Sequence, residues 1–416
     1  MTVFNHQVSA NQVVNEVIAI QTEELLEHHD KVFEFWHRIN QNHANGPWPK
    51  LGSRVNKLKV LEISARADIG GGPRHLRDLA QGLRASVDLY VASPLEAPFG
   101  DEFRRLAIEH FELPKRSFRL SKAFALLGFC RKRQIQIVHS HGRGAGAYSR
   151  FLGLFGIKVV HTFHGFHRHS GRKTQIFAIL ERILKYFTHE FIAVSQDEMT
   201  RAVQDHVASA GATTVIFNGL PILTKEIKPT YVHSPNRCVF GVLTRFDAHK
   251  GNHLLIDFVS QLPAELKERC EFRLAGEGPE KAALEQLVQK LNLVDKIVFM
   301  GPVAEPLVFL SGVDIFASCS QGEGLSYATL EALQMGRLLL LSRVTGHTEL
   351  NGLSGVFFFN LDSVPDFRAQ LEKVMQAVGQ IRTELPPQFQ LQTMVEKTLL
   401  VYERLAFRSK STQEGS

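Results

Sequence analysis

Residues 314–336 read DIFASCSQGEGLSYATLEALQMG, and their pattern indicates the architecture of the chain. It begins with a short apolar run, which is typical of a buried strand, and continues through a loop rich in serine and glycine. The remainder predicts a helix with Leu330 and Leu333 on one face. We expect Ser326 at its N-cap and Gly336 just beyond its last turn. A buried strand, a loop and a helix in this order indicate one unit of a parallel α/β sheet.

Two carboxylates in this stretch stand eight residues apart, Glu323 in the loop and Glu331 in the helix. The start of a helix offers unpaired N–H groups and partial positive charge, so an anion such as a phosphate can bind there. Paired carboxylates are also typical of glycoside hydrolases. Both interpretations stay open until the rest of the chain is considered.

Composition indicates a globular protein with more than one domain. The chain has 416 residues, of which 44% are hydrophobic and 22% charged. At roughly 100 to 200 residues per domain, two or three domains are expected. The four cysteines lack CxxC spacing, which argues against a zinc ribbon or a disulfide framework and favours a reducing cytoplasm. Residues 1–20 lack a secretory signal pattern, and no apolar run reaches the roughly 18 residues of a transmembrane helix.

Positive charge is concentrated in residues 103–133, where nine Lys and Arg residues alternate with five Phe residues. The whole chain has a net charge of +6. Such a mixture can dock on an anionic membrane or bind an anionic ligand. A solvated face over a local core is the equally weighted alternative. No nucleic-acid recognition module accompanies the charge, so nucleic acid is not an expected partner.

Residues 1–50 are predicted to be an N-terminal helical extension. Apolar residues recur at helical spacing over Thr22–Ile39, which predicts an amphipathic helix. We expect this helix to pack on the first domain, with a membrane or dimer contact as the alternative. The segment NGPWPKLGSR that follows is typical of a linker.

The first globular half begins with a predicted strand, Val60–Ser64, and a triple-glycine loop that leads into a helix with Pro73 at its first position. Glycines let backbone N–H groups approach an oxyanion, although such a loop is also found in ordinary tight turns. Further strands are predicted within residues 87–93, 135–142, 158–165, 190–195 and 213–221. Strands that alternate with helices predict a parallel sheet, whose ligands bind at the carboxyl ends of the strands.

Histidines are frequent at these predicted strand ends, namely His139, His141, His161 and His164. The segment HTFHGFHRH, residues 161–169, suggests a metal site through its four histidines, but the spacing matches no zinc motif. We therefore expect no metal. A histidine at the end of a strand can instead hydrogen-bond a ligand hydroxyl or the backbone.

A second series of strand and helix units follows a linker at residues 221–236. Its units begin at Cys238, Cys270, Lys296, Val313 and Arg337. A final amphipathic helix is predicted over Leu391–Leu405. The expected fold class is therefore α/β, with two doubly wound halves.

Cations and glycines fall at successive strand ends of this second half. Arg245 and Lys250 follow its first strand, and a Gly-Glu-Gly-Pro turn at residues 276–279 follows its second. An Arg fork beside a Lys point charge is suited to a diphosphate. Together with Glu323 and Glu331, these residues predict a nucleotide-diphosphate site and favour a phosphate leaving group over hydrolase chemistry.

At roughly residues 58–405 the chain resembles the retaining GT-B glycosyltransferases of family four. TRFDAHKG, GEGP, VFMGPV and the Glu323 to Glu331 spacing match, in this order, its R-x4-K-G element, glycine turn, base-side segment and E-x7-E motif. In the first half, GGGPRHL and HTFHG are similar to its glycine loop and histidine motif. The resemblance implies two Rossmann-like domains that face a cleft, residues 51–222 for the acceptor and 223–390 for the donor. It also implies that residues 391–416 are a crossing helix and a polar tail.

The resemblance also implies a role for each matched residue. Arg245 and Lys250 would bind the donor diphosphate and neutralise the leaving group. Glu323 and His164 would contact the donor sugar, and Glu331 would hold the ribose hydroxyls. The implied catalytic residues are His164, Glu323, Arg245 and Lys250, and the implied donor-binding residues are Gly71, Gly72, Gly276, Gly278, Gly301, Gly324, Leu325 and Glu331.

Three departures from the family pattern border the implied donor site. Thr244 stands where the family has Gly, Leu338 where it has Pro, and the turn at residues 345–349 reads Thr-Gly-His-Thr-Glu instead of Gly-Gly-x-Pro-Glu. These departures bear on which donor is used.

We therefore expect a hexosyltransferase-type glycosyltransferase that retains the anomeric configuration and needs no cofactor. It would move a sugar from a nucleotide-diphosphate donor to a saccharide or lipid-linked acceptor in envelope polysaccharide synthesis. We expect it in the cytoplasm, with a peripheral contact at the inner face of the membrane. The alternatives are a nucleotide-sugar binding or scaffold protein without turnover, and a GT-B epimerase or phosphorylase.

Overall fold

The protein is described here by a computed structural model, which covers residues 57–165, 180–225, 227 and 237–408. The expected extension at residues 1–50 and its amphipathic helix lie outside the described residues. His167 and His169 also lie outside them, as does most of the linker expected at residues 221–236.

Seven parallel strands form the first sheet, in the order β3-β2-β1-β4-β5-β6-β7. The strands are β1 (Lys59–Ser64), β2 (Asp88–Ser93), β3 (Glu109–Glu112), β4 (Ile137–His141), β5 (Lys158–Thr162), β6 (Glu190–Ala193) and β7 (Thr213–Val215). The strand order changes direction between β1 and β4, where Val60 lies opposite Ile137. A crevice at the carboxyl ends of the strands is expected at such a point.

Helices connect the strands of this sheet. They are α1 (Gly71–Leu83), α2 (Gly100–Leu106), α3 (Leu120–Arg133), α4 (Gly142–Gly153) and α5 (Gln196–Gln204). Leu76, Leu79 and Leu83 of α1 are fully buried and belong to the apolar core of this sheet.

Six parallel strands form the second sheet, in the order β10-β9-β8-β11-β12-β13. The strands are β8 (Cys238–Leu243), β9 (Cys270–Ala275), β10 (Ile297–Gly301), β11 (Ile315–Ser318), β12 (Leu338–Ser342) and β13 (Val356–Phe359). Here the order changes direction between β8 and β11, where Ile315 lies opposite Phe240. The stretch at residues 314–336 therefore supplies the strand beside this point.

The second sheet is covered by helices in the same way. They are α6 (Asn252–Ser260), α7 (Ala264–Glu268), α8 (Lys281–Lys290), α9 (Pro306–Ser311), α10 (Tyr327–Gln334) and α11 (Val364–Ala377). In α10, Leu330 and Leu333 are fully buried, as predicted, and Gly336 follows the helix with φ +71°. Ser326 occupies the N-cap position, but its side chain makes no capping hydrogen bond.

The last helix, α12 (Leu391–Arg408), returns from the second sheet to the first. It packs against α1, and Met394, Val395 and Tyr402 belong to the apolar core of the first sheet. The expected fold class is confirmed: two parallel α/β sheets, with a C-terminal helix that crosses back. Among the described residues, no helix is both long and apolar enough to cross a membrane.

Three details differ from the sequence-based expectation. The helix α1 begins at Gly71, so Pro73 is its third residue and not its first. The short strands β3 and β13 were not predicted. Within residues 103–133, Phe103 is fully buried in the core, whereas Phe118 and Phe124 are about half exposed, at 45% and 53%.

Candidate active site

The centre of the candidate site is an ion pair at the carboxyl ends of β8 and β11. Lys250 follows β8 and Glu323 follows β11, so the point where the strand order reverses brings them together. Lys250 Nζ donates to Glu323 Oε1 at 2.6 Å, and Ser320 Oγ donates to the same oxygen at 2.6 Å. The two residues stand 73 positions apart in the chain, and sequence reasoning predicted both for one site.

The electrostatics of this pair keep Glu323 ionised. Burial by itself raises the pKa of the Glu323 carboxyl, but Lys250, His347 and the two donated hydrogen bonds outweigh it and lower the pKa below its usual value. An anionic carboxylate beside an ammonium group can accept hydrogen bonds from sugar hydroxyls while the ammonium contacts a phosphate.

Arg245 projects from the loop after β8, with 65% of its side chain exposed. Its guanidinium pairs with Asp247 Oδ2 at 2.5 Å. The glycine turn after β9 lies directly against this loop: a Cβ on Gly276, whose φ is +151°, would stand 1.8 Å from the carbonyl oxygen of Thr244. A Cβ on Gly278 would stand 2.3 Å from the carbonyl oxygen of Phe246. These glycines are therefore needed for backbone packing that positions the Arg245 loop.

Gly301 adjoins the same turn. Its carbonyl oxygen accepts a hydrogen bond from the Gly276 N–H at 2.8 Å, and its own φ is +70°. Three of the glycines predicted to bind the donor, Gly276, Gly278 and Gly301, therefore lie together at the ends of β9 and β10.

Glu331, by contrast, is paired with a residue of the first sheet's half. Its Oε1 lies 2.7 Å from Arg74 Nη2, and its side chain is only 3% exposed. The Arg74 guanidinium also lies over the Tyr327 ring, 4.6 Å from the centroid. Burial raises the pKa of Glu331 even though Arg74 opposes the shift. Glu331 was predicted to hold ribose hydroxyls, and Arg74 was missed, although it stands within the quoted GGGPRHL segment.

The opposite wall of the site comes from α1 and the loop after β5. Gly71 faces open space, and a Cβ on Gly72 would be 3.6 Å from Cδ2 of His164. Gly324 approaches this wall closely, because its Cβ would lie 3.4 Å from the Gly165 nitrogen. The carbonyl oxygen of Leu325 accepts a hydrogen bond from Asn218 Nδ2 at 2.7 Å. The predicted residues of the two halves thus face each other across a narrow gap.

A buried cluster of polar side chains lies next to His164. Glu62 accepts hydrogen bonds from His141 Nε2 at 2.7 Å and from the Tyr402 hydroxyl at 2.6 Å. His141 Nδ1 lies 3.2 Å from His164 Nε2. Sequence reasoning missed Glu62 and Tyr402, because a glutamate inside an apolar strand and a tyrosine in the last helix carry no motif.

His75 completes this cluster. Its Nδ1 lies 2.9 Å from Asn218 Oδ1. Burial lowers the pKa of His75 to about 3 and that of His141 to about 4, so both rings are neutral at pH 7. Among the described residues, His164 is the only histidine of the HTFHGFHRH segment that belongs to this group. His161 instead hydrogen-bonds Ser140.

The turn at residues 345–349, which departs from the family pattern, lies between the two halves. Thr345 accepts a hydrogen bond from the Glu323 N–H at 3.0 Å through its carbonyl oxygen. Thr348 Oγ1 donates to Asp197 Oδ2 at 2.9 Å, and Glu349 accepts from the Asp197 N–H at 3.1 Å. The turn therefore links the Glu323 loop to the start of α5.

Known proteins resemble this chain along most of its length. O-antigen biosynthesis glycosyltransferase WbnH of Escherichia coli is 23% identical over 325 residues, which are 75% of this chain and 88% of that protein. Capsular polysaccharide biosynthesis glycosyltransferase CapH of Staphylococcus aureus is 22% identical over 321 residues, covering 74% and 88% of the two chains. The crystal structure of HepE of Anabaena, in complex with UDP and glucose, has the same fold, with a TM-score of 0.70 and 18% identity over 83% of this chain and all of that one.

Two family models divide the chain between them. The model described as Glycosyltransferase Family 4 matches residues 69–222, and the model described as Glycosyl transferases group 1 matches residues 224–377. Their border falls between the two sheets. The chain is thus a glycosyltransferase whose first half belongs to Glycosyltransferase Family 4 and whose second half belongs to Glycosyl transferases group 1.

Proposed function

We propose that this glycosyltransferase moves a sugar, with retention of configuration, from a nucleotide-diphosphate donor to a saccharide or lipid-linked acceptor of an envelope polysaccharide. The observation that carries the proposal is the Lys250–Glu323 pair at the point where the second sheet reverses its order. Side by side, a cation can bind the phosphate of a sugar phosphate and a carboxylate can accept hydrogen bonds from the hydroxyls of the sugar.

Each polar group has a defined task in this chemistry. Cleavage of the bond between the anomeric carbon and the phosphate builds positive charge on the sugar and negative charge on the departing diphosphate. Lys250 and the exposed Arg245 stabilise that negative charge, because preorganised cations lower the barrier where charge develops. Glu323 accepts from the donor sugar hydroxyls, and His164 contacts the sugar from the opposite wall. The acceptor hydroxyl attacks the anomeric carbon from the face that the phosphate leaves, and the leaving phosphate takes up the proton of that hydroxyl.

Donor and reaction are tested together by incubation of the protein with a panel of nucleotide sugars and glycan acceptors, followed by measurement of nucleotide diphosphate release. Lys250→Ala is expected to lower kcat/KM by roughly 100-fold or more, the range found when one preorganised group is removed. Lys290→Ala, at an exposed site on α8, is the matched control and should retain activity. Equal activity of the two folded variants would contradict the assignment, and an inverted anomeric configuration of the product by NMR would contradict retention.

We also propose that α3 and the end of α4 dock on an anionic membrane. Phe118, Leu120 and Phe124 are 45%, 56% and 53% exposed, and Leu154 and Phe155 beside them are 56% and 42% exposed. The same segment carries four cations that are exposed or half-buried, namely Arg119, Lys122, Arg131 and Lys132, and the Arg131 guanidinium lies 5.8 Å from the centroid of the Phe155 ring. Exposed apolar side chains together with cations match the interface of an anionic bilayer.

Vesicle sedimentation tests this docking. Binding should be stronger to vesicles that contain phosphatidylglycerol than to pure phosphatidylcholine vesicles, and Phe124→Ser should weaken it. Phe407→Ser, at another exposed phenylalanine, is the control. Binding that ignores both lipid charge and Phe124 would contradict the proposal.

A further inference from the structure

Three imidazoles converge beside the cleft at distances that suit a metal ion. One nitrogen from each of His75, His141 and His164 lies within 4.8 Å of the others. His141 Nδ1 and His164 Nε2 are 3.2 Å apart. Tetrahedral zinc, with Zn–N bonds of about 2.0 Å, separates its nitrogen ligands by about 3.3 Å.

The ring positions fit the same arrangement. The ring centroids are 4.7 Å apart for His75 and His164, 5.3 Å for His75 and His141, and 5.5 Å for His141 and His164. Three imidazoles on one tetrahedral ion have centroids roughly 5 Å apart, given the bond length above. We propose that His75, His141 and His164 form a binding site for a divalent transition-metal ion of the Zn²⁺ class.

Neighbouring side chains fix the tautomers that such a site requires. Asn218 donates a hydrogen bond through Nδ2 to the carbonyl oxygen of Leu325. Its Oδ1 therefore faces His75 and accepts a hydrogen bond from the N–H group at His75 Nδ1. Nε2 of His75 is then left with its lone pair. Likewise Glu62 accepts from His141 Nε2, which leaves the lone pair on Nδ1 of His141. A carboxylate or amide that holds the outer N–H of a histidine is the usual support of a metal-binding imidazole.

The chemistry of the donor set selects the class of ion. Neutral imidazole nitrogens favour Zn²⁺, Co²⁺, Ni²⁺ and Cu²⁺, whereas Mg²⁺ and Ca²⁺ favour oxygen. His164 is only partly buried, which opens the site toward the cleft.

Occupation of this site has a consequence for transfer, and this step rests on the proposed function. His164 is the residue that we propose to contact the donor sugar. An ion bound to His164 competes with the sugar, so Zn²⁺ is expected to inhibit transfer.

The ion site is tested on the full chain, without an affinity tag, after treatment with a chelator. Co²⁺ is added, and its visible d–d absorption reports tetrahedral coordination, after which Zn²⁺ is added in competition. The wild-type protein should develop the bands and lose them to Zn²⁺. His75→Ala, His141→Ala and His164→Ala should each weaken Co²⁺ binding more than tenfold. Glu62→Gln should weaken it by about 10- to 100-fold, as expected for loss of an outer partner.

The controls separate the site from other histidines. His206→Asn changes an exposed histidine with φ +61° and should bind Co²⁺ as the wild type does. His164→Ala changes the least buried of the three ligands, so it remains informative if the other variants fail to fold, which circular dichroism reports. No visible bands in the wild type, or equal bands in folded His164→Ala, would overturn the site and leave a His141–His164 hydrogen bond as the explanation of the geometry. Loss of bands in His164→Ala without Zn²⁺ inhibition of an active wild-type enzyme would support the ion site and overturn the proposed sugar contact of His164.

Discussion

At the scale of single residues, two Lys–Glu ion pairs of the second half differ in how strongly water and salt screen them, because they are buried to different degrees. Lys250 and Glu323 are 23% and 11% exposed, whereas Lys281 and Glu277 are 33% and 54% exposed. Exposed pairs contribute about 0 to 1 kcal/mol because water and salt screen them. The Lys250–Glu323 pair is shielded from that screening, and Lys250 helps to hold the pKa of Glu323 below its usual value against the effect of burial.

The pH dependence of stability should report this difference. Above the unfolded pKa of 4.5 the Glu323 carboxylate contributes its full stabilisation, because its folded pKa is lower. As the pH falls from 4.5 toward the folded pKa, the unfolded chain binds the extra proton and the contribution is lost, at up to about 1.4 kcal/mol per pH unit. Urea denaturation should therefore show that the stability difference between wild type and Glu323→Gln shrinks below pH 4.5. Glu277→Gln is the matched control, and the same pH response in both variants would refute the prediction.

The residues of the site differ in how far sequence could predict them. Lys250 and Glu323 stand in motifs with fixed spacing beside predicted strands, so their meeting followed from the parallel topology. Arg74 could not be predicted, since its partner Glu331 comes from the other half of the chain. Glu62 could not be predicted either, since one of its partners, Tyr402, comes from the last helix. Pairing between distant elements depends on how the two sheets face each other, which no local pattern encodes.

At the scale of elements, the contact of α1 with α12 depends on a glycine. A Cβ at Gly82 would stand 2.3 Å from Cγ2 of Val395. Gly128 in α3 has no atom within 4 Å of the same position. Replacement of a helical glycine by alanine favours the helix by about 1 kcal/mol when the new methyl group has room.

Gly82→Ala should therefore destabilise the protein by about 1 to 3 kcal/mol, the usual effect of overpacking, in spite of the gain in helix propensity. Gly128→Ala should stabilise it by up to about 1 kcal/mol. Thermal denaturation measures both effects. The double variant Gly82→Ala/Val395→Ala should recover part of the lost stability, because it removes the Cγ2 atom that the new methyl group meets. A Gly82→Ala variant that is more stable than the wild type would show that the two helices do not pack as described.

Strands were predictable where the sequence is continuously apolar. All residues of β4 are buried, and so are all residues of β12, because helices cover both faces of a parallel sheet. The missed strand β3, EHFE, lies at the edge of its sheet and is mostly half-buried. It has neither an apolar run nor a strict alternation, and it forms because β2 offers an unpaired edge.

At the scale of the whole molecule, buried polar contacts join the two halves across the cleft. Arg74 of α1 pairs with Glu331 of α10, and Asn218 bonds the backbone of Leu325. Removal of one partner of a buried pair leaves the other charge without compensation, which is more damaging than removal of both.

Arg74→Ala should accordingly destabilise the protein by about 3 kcal/mol, the lower end of the range for a broken buried pair. Amide hydrogen exchange should also become faster in both α1 and α10, because each loses a contact with the other half. Arg84→Ala, at an exposed position near the end of α1, is the control. A double-mutant cycle with Glu331→Gln should give a coupling of about 0.5 to 3 kcal/mol, and a coupling near zero would argue against the pair.

The helix α12 also bears on how the protein is made. Met394, Val395 and Tyr402 complete the core beneath the first sheet, yet the ribosome reaches them only after the whole second sheet has been synthesised. At about 5 to 20 residues per second, the nascent first half waits roughly 10 to 35 s with the α1 face uncovered. The half that is synthesised first is therefore the half that is finished last, and a chaperone that shields apolar surface has that interval in which to act.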